Sequence, residues 1–224
     1  MPSSTVENYL KQLYLEQQHL PPAEADELVP MGRLASAMAV TPGTATTMVK
    51  ALAEANLVSY EPRSGVKLTR AGEQLALHVL RRHRLLELFL VKILGLDWSE
   101  VHEEAEDLEH AISDKVLQKI DALLDFPSVD PHGDPIPNSK GKVTSPRLQT
   151  LAQVDPGLTV RIARIIDQEP AFLQFLHRNS LIPGAQLTLE SKDPQADSIK
   201  LKLPQKNSLS LGTAAAAKIL VEPA

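Results

Sequence analysis

Cysteine is absent from all 224 residues. That excludes disulfides, iron–sulfur clusters and thiolate-held zinc. Nothing approaches the roughly 18 consecutive apolar residues that span a bilayer, so no membrane partner is expected. No basic stretch followed by an apolar run opens the chain, so no secretory leader is expected and the location it implies is cytoplasmic. There is no internal repeat. A His-Glu-x-x-His motif and an obvious nucleophile are both missing, which points away from an enzyme. The composition is 43% hydrophobic and 23% charged, ordinary for a globular protein with room for one to three small domains.

The net charge of −5 is the wrong sign for a nucleic-acid binder, but the average hides a polarity. Met31 to Arg84 carries eight Lys and Arg against three acids, a net of +5. Leu85 to Phe126 carries eleven acids against three lysines, a net of −8. The basic block can face phosphate while the acidic block attracts cations.

The basic block has a matching local pattern. Thr5 to Gln18 reads as a helix with a stripe of Val6, Tyr9, Leu10, Leu13 and Tyr14. Pro21 to Pro30 reads as an acidic loop. Met31 to Met38 forms a short helix, Ala39 to Thr41 a turn, and Thr41 caps a second helix with Pro42 at its first position, ending near Asn56. Leu57 to Tyr60 and Val66 to Thr69 alternate around Pro62-Arg-Ser-Gly65 as a β-hairpin. Helix, turn, helix, hairpin is a winged helix-turn-helix. Thr41, Gly43, Thr44, Thr46 and Thr47 at the start of the recognition helix suit a groove, with Lys50, Arg63 and Lys67 on phosphate.

The acidic block carries the ligand types. His83 and Glu87 share a helical face, as do Glu106, Glu109 and His110, with His102 one turn before Glu106. Three imidazoles and three carboxylates suit a divalent first-row metal. They lie on a helix from about Ala71 to Leu94, ended by Gly95, and on another capped by Asp97 or Ser99. Leu108, Ile112, Val116, Ile120 and Leu124 continue the latter as one i, i+4 stripe. Its excess apolar surface suggests a homodimer interface. Five prolines from Phe126 to about Leu148 read as irregular linker. Short strands at Leu158 to Ile166, Gln186 to Glu190, Ile199 to Leu203 and Lys218 to Glu222, with one helix from Pro170 to Asn179, suggest a small bent β-domain. The segmentation is 1–74 for the winged helix, 75–140 for the helical metal and dimer region, 141–155 for the linker and 156–224 for the β-domain.

These residues resemble the diphtheria-toxin-repressor family of iron- and manganese-dependent regulators. The likeness runs from Val6-Glu-Asn-Tyr-Leu-Lys-Gln-Leu-Tyr through Arg82-His-Arg-Leu-Leu-Glu-Leu-Phe-Leu, Gly95-Leu-Asp-Trp-Ser-Glu-Val-His-Glu-Glu-Ala-Glu-Asp-Leu-Glu-His and Gly133-Asp-Pro-Ile-Pro. It implies a mainly α protein with a winged helix-turn-helix, a helical metal-binding and dimerisation domain, and a C-terminal SH3-like β-domain. It also implies a metal-activated repressor that binds operator DNA as a homodimer. Two neighbouring metal sites are implied. One is His83, Glu87 and His102, completed by Asp167, Gln168 or Glu169. The other is Glu106, Glu109 and His110, joined by Asn8 on the first helix, and this second site is expected to switch DNA binding. Iron-sensing members carry Cys where this chain has Glu106 and Met where it has Asn8, so the lost sulfur favours Mn²⁺ over Fe²⁺. Lys11 stands where two-domain manganese sensors often have Glu. The alternative function is a metal-independent winged-helix protein whose acidic helices serve assembly only.

Overall fold

The computed structural model describes residues 3–18, 20, 28–144, 146–204 and 206–224. Most of the acidic loop expected from Pro21 lies outside them. The chain forms two compact units: residues 1–83, 109–112 and 137–143 make the first, and residues 84–108, 113–136 and 144–224 the second.

In the first unit, α1 (Ser4–Gln18), α2 (Met31–Ala37) and α3 (Pro42–Glu54) precede a hairpin of β1 (Val58–Glu61) and β2 (Gly65–Leu68). Thr41 caps α3 as its sequence requires: its hydroxyl accepts from Thr44 N–H at 3.2 Å, and Pro42 follows. The hairpin pairs Val58 with Leu68 and Glu61 with Gly65. Val29 adds a third short strand by exchanging both backbone bonds with Val66. Leu10, Leu13, Leu34, Ala45, Val49 and Val66 are buried together in its core. The long helix α4 (Arg70–Lys92) starts two residues after β2. Gly72 has no substitute there, because a Cβ would stand 2.0 Å from Leu57 O.

The second unit takes α4 from Arg84, then α5 (Val101–Glu109), α6 (Asp114–Leu123) and a β-domain. The single stripe read from Leu108 to Leu124 is broken. Ser113 leaves helical geometry at ψ 151° and caps α6, accepting from Val116 N–H. The linker beginning at Phe126 is more ordered than its prolines suggested, with Val129 bridging to Pro135 and His132, Gly133, Asp134 and Ile136 buried.

The β-domain is a six-stranded antiparallel sheet. It consists of β3 (Gln149–Thr150), β4 (Thr159–Ile165), β5 (Gln186–Asp193), β6 (Ser198–Leu203), β7 (Lys206–Gly212) and β8 (Ile219–Pro223). Their order is β3-β8-β4-β5-β6-β7. Register shifts in β4, β5 and β6 bend it. The helices α7 (Pro170–Arg178) and α8 (Thr213–Ala216) complete it. β3 and β7 were not anticipated. The core of Leu151, Ile162, Leu173, Leu187 and Leu201 also takes in Trp98 and Val91 from the helical part. Among the described residues no helix is long and apolar enough to cross a membrane.

Candidate metal centres and nucleic-acid interface

The second unit contains a buried ligand set of which the sequence reading named Glu87 and missed Asp130 and His132. Glu87, Asp130 and His132 each offer one ligand atom, all within 4.8 Å of one another. They are 2%, 4% and 1% exposed. The loop is shaped by Asp130, whose Oδ1 accepts from the backbone N–H of His132 at 2.8 Å and of Asp134 at 2.9 Å. Gly133 then turns with φ +88°, and a Cβ there would stand 2.0 Å from Ala163 O. The backbone N–H of Ile165 donates to His132 O at 2.9 Å, tying the loop to β4.

The tautomer of His132 follows from its partners. Its Nε2 lies 2.8 Å from Trp98 O. A carbonyl can only accept, so Nε2 carries the hydrogen in the neutral ring. Nδ1 is then a lone pair, and it is buried with no hydrogen-bond partner among the described residues. The ring is also stacked on Trp98, with centroids 5.5 Å apart. A carbonyl that fixes one nitrogen and bares the other is a common way to orient a metal-binding histidine.

The carboxylates are crowded to match. Burial, then the charges of Asp134 and Glu87, push the Asp130 carboxyl well above the usual carboxylate range, and Arg84 only partly offsets this. Arg84 spends one N–H on Pro135 O at 2.5 Å and stands 3.7 Å from both Asp130 and Asp134. Asp134 also pairs with Arg164 and accepts from Gln168 Nε2 at 2.6 Å. A divalent cation between Glu87, Asp130 and Nδ1 of His132 would relieve the crowding and use the orphaned lone pair, so these residues fit a metal.

The other expected ligands divide between the two units. His102 Nδ1 stands 3.2 Å from Glu87 Oε1, and its Nε2 stands 3.7 Å from Glu106 Oε1, with the His102 side chain 58% exposed. Of the three third-domain candidates, Gln168 faces Asp134. Asp167 is turned to Lys218 at 2.5 Å, which holds its carboxyl below the usual range. Glu169 is exposed at the start of α7.

In the first unit, Glu109 is fully buried. Its Oε2 lies 2.7 Å from His83 Nδ1, and its Oε1 lies 2.7 Å from Lys11 Nζ. His110 lies between α1 side chains, with Nδ1 2.6 Å from Glu7 Oε2 and Nε2 2.7 Å from Asn8 Oδ1. Glu7 was not among the residues expected at this site, whereas its neighbour Asn8 was. The signal was available, since Glu7 and Lys11 are one turn apart.

The DNA-reading candidates occupy the start of α3 and the wing. Thr41, Gly43, Thr44, Thr47, Lys50 and Arg63 are exposed, and Thr46 and Lys67 are half-buried. Thr46 and Thr47 donate their hydroxyls back to Pro42 O at 2.7 Å and Gly43 O at 3.1 Å. The hydroxyl hydrogens are thus spent on the helix.

Comparison with known proteins accounts for nearly the whole chain. Residues 1–66 match the iron-dependent repressor N-terminal DNA-binding domain, residues 69–138 its metal-binding and dimerisation domain, and residues 149–223 the FeoA domain. The diphtheria toxin repressor of Corynebacterium jeikeium is 32% identical over 74% of this chain and 68% of its own length. The iron-dependent repressor IdeR of Mycobacterium leprae is 26% identical over 97% of this chain and 96% of its own. A solved structure described as a manganese-dependent transcriptional repressor in complex with manganese is 37% identical, covers 98% of this chain and all of that one, and superposes with a TM-score of 0.85. A winged DNA-binding unit, a buried oxygen-and-nitrogen ligand set and a bent β-domain in one chain, together with these matches, place the protein in the family of iron-dependent, diphtheria-toxin-type repressors.

Proposed function

We propose that the chain is a transcriptional repressor of the cytoplasm, activated by a divalent metal, with Mn²⁺ preferred to Fe²⁺. Its regulatory ligand set includes Glu87, Asp130 and His132. The observation that carries this reading is His132, which keeps a ring nitrogen within 4.8 Å of the carboxylates of Glu87 and Asp130, with Nε2–H committed to Trp98 O and Nδ1 buried and without a hydrogen-bond partner among the described residues. The absence of cysteine favours the harder cation. His102, exposed beside Glu87 and in reach of Glu106, would supply a further donor.

The bound metal would supply the positive charge that the crowded acids lack. Glu87 holds α4, and Asp130 and His132 hold the loop before the β-domain. Pulling them together stiffens α4, the helix that leaves the wing at Arg70 and carries Glu87. Metal can favour DNA binding only by its preference for the DNA-competent arrangement, typically by about 1–3 kcal/mol. Thr41, Gly43, Thr44, Thr46 and Thr47 would face the groove, with Lys50, Arg63 and Lys67 on phosphate. The test is an electrophoretic shift on a promoter fragment with Mn²⁺, with Fe²⁺ under anaerobic conditions, and with excess chelator. Binding should require metal and should be lost in His132→Ala. Equal binding in chelator would favour a metal-independent winged-helix protein.

A further inference from the structure

The cluster on α1 has the donor types of a second metal site: Glu7, Asn8, His83, Glu109 and His110. It also contains its own cation. Lys11 is 4% exposed, and its ammonium lies 2.7 Å from Glu109 Oε1, while Glu109 is fully buried. The second oxygen of Glu109 is taken by His83 at 2.7 Å. Both nitrogens of His110 already face oxygens, Glu7 on one side and Asn8 on the other. A divalent ion at Glu109 would meet an ammonium at hydrogen-bond distance, like charge against like charge, with little water to screen it. With Lys11 in place, these residues do not fit a metal. The ligand set of the second unit differs: Arg84 stands 3.7 Å from the carboxylate of Asp130, and Nδ1 of His132 has no hydrogen-bond partner among the described residues.

We propose that Lys11 is a tethered cation that takes the place of a metal ion in this cluster. It joins α1 to Glu109 permanently, and the metal response of the chain is left to the Glu87, Asp130 and His132 set. This extends the reading of the chain as a metal-responsive repressor. A buried ammonium and carboxylate at 2.7 Å are a charge-assisted pair whose partners depend on each other. An ordinary structural ion pair makes no claim on metal binding. A substitute cation does, because removing it should open a metal site.

The test measures Mn²⁺ stoichiometry by titration calorimetry and amide hydrogen exchange of α1, for wild type, Lys11→Gln and Lys11→Arg. Wild type should take one tight Mn²⁺ per protomer, and α1 should stay protected in chelator. Lys11→Gln should lose α1 protection about tenfold in chelator, regain it with Mn²⁺, and bind a second Mn²⁺ that Glu109→Gln then removes. Lys11→Arg keeps the charge and should behave as wild type in chelator. Wild-type α1 protected only with Mn²⁺, or two tight ions in wild type with one lost in Glu109→Gln alone, would overturn the proposal. Should Lys11→Gln fail to fold, the wild-type exchange and stoichiometry decide alone. If DNA binding ignores metal while Lys11→Gln still gains its site, the repressor reading falls and the role of Lys11 stands.

Discussion

One buried carboxyl of the second unit has a pH dependence opposite to that of Asp97 and Asp167 in the same unit. Asp130 has a folded pKa raised well above its ordinary value by burial and by Asp134 and Glu87. Between those two values the folded chain holds a proton that the unfolded chain releases. The sign is therefore the reverse of a salt-bridged acid: this group's contribution to stability is fullest below the ordinary carboxylate range and is lost as pH rises toward the folded value. Metal requires the ionised form, so affinity should rise with pH and binding should release protons. Melting of metal-free protein from about pH 4 to about pH 8 should show falling stability from this group. Asp130→Asn should flatten that dependence and weaken Mn²⁺ binding at least about tenfold. A wild-type slope unchanged by Asp130→Asn would show that other groups set it. Gly133 belongs to the same scale. Alanine there would place its Cβ 2.0 Å from Ala163 O, so the loop would have to leave β4. Gly133→Ala should lower the melting temperature and the Mn²⁺ affinity together.

Single elements were legible in the sequence where one local signal decided them. Thr41 and Pro42 mark the start of α3, and the structure has the cap bond at 3.2 Å. Thr41→Ala should cost about 1 kcal/mol of stability, read by thermal melting. The wing followed from alternation around Gly65. Lys67→Ala should weaken binding to all DNA sequences and lower the slope of log affinity against log salt by about one unit. An unchanged slope would remove Lys67 from the interface. Elements were lost where signals competed. The break between α5 and α6 was hidden because Leu108, Ile112 and Val116 keep helical spacing across it, and only Ser113 marks the cap. β7 escaped because Lys206-Asn-Ser-Leu-Ser-Leu-Gly212 is largely polar and follows Pro204. The ligand loop was misread for a different reason. Its prolines signal irregular backbone correctly, but irregular backbone is not the same as linker. Asp130, His132 and Asp134 are buried because side-chain and backbone bonds to Trp98, Arg164 and Ile165 replace the missing ladder. Those partners are distant in sequence, so no window of residues could reveal them.

At the scale of the whole molecule, the second unit leaves apolar surface that a lone protomer does not use. On α6, Leu117 and Ile120 turn inward and are buried, while Val116 and Leu123, seven residues apart, share an exposed face. Leu123 is 61% exposed and Phe126, just beyond the helix, is 70% exposed. A helix apolar on both sides is built to lie between two layers. The metal-binding and dimerisation domain matched at residues 69–138 includes this helix, and a two-fold dimer would bring the same patch of each protomer to the interface. Each large side chain buried there contributes about 1.5–3 kcal/mol, and symmetry counts it twice. Leu123→Glu combined with Phe126→Asp should therefore raise the dimer dissociation constant by at least about a hundredfold. Both side chains are exposed in the protomer, so its circular dichroism should stay unchanged. Sedimentation equilibrium reads the dissociation constant, and operator binding should then demand higher protein concentration even with saturating Mn²⁺, because two half-sites need two recognition helices. A double variant that remained dimeric would move the interface away from α6. One that became monomeric yet bound the full operator as tightly as wild type would show that two-fold pairing is not how the site is read.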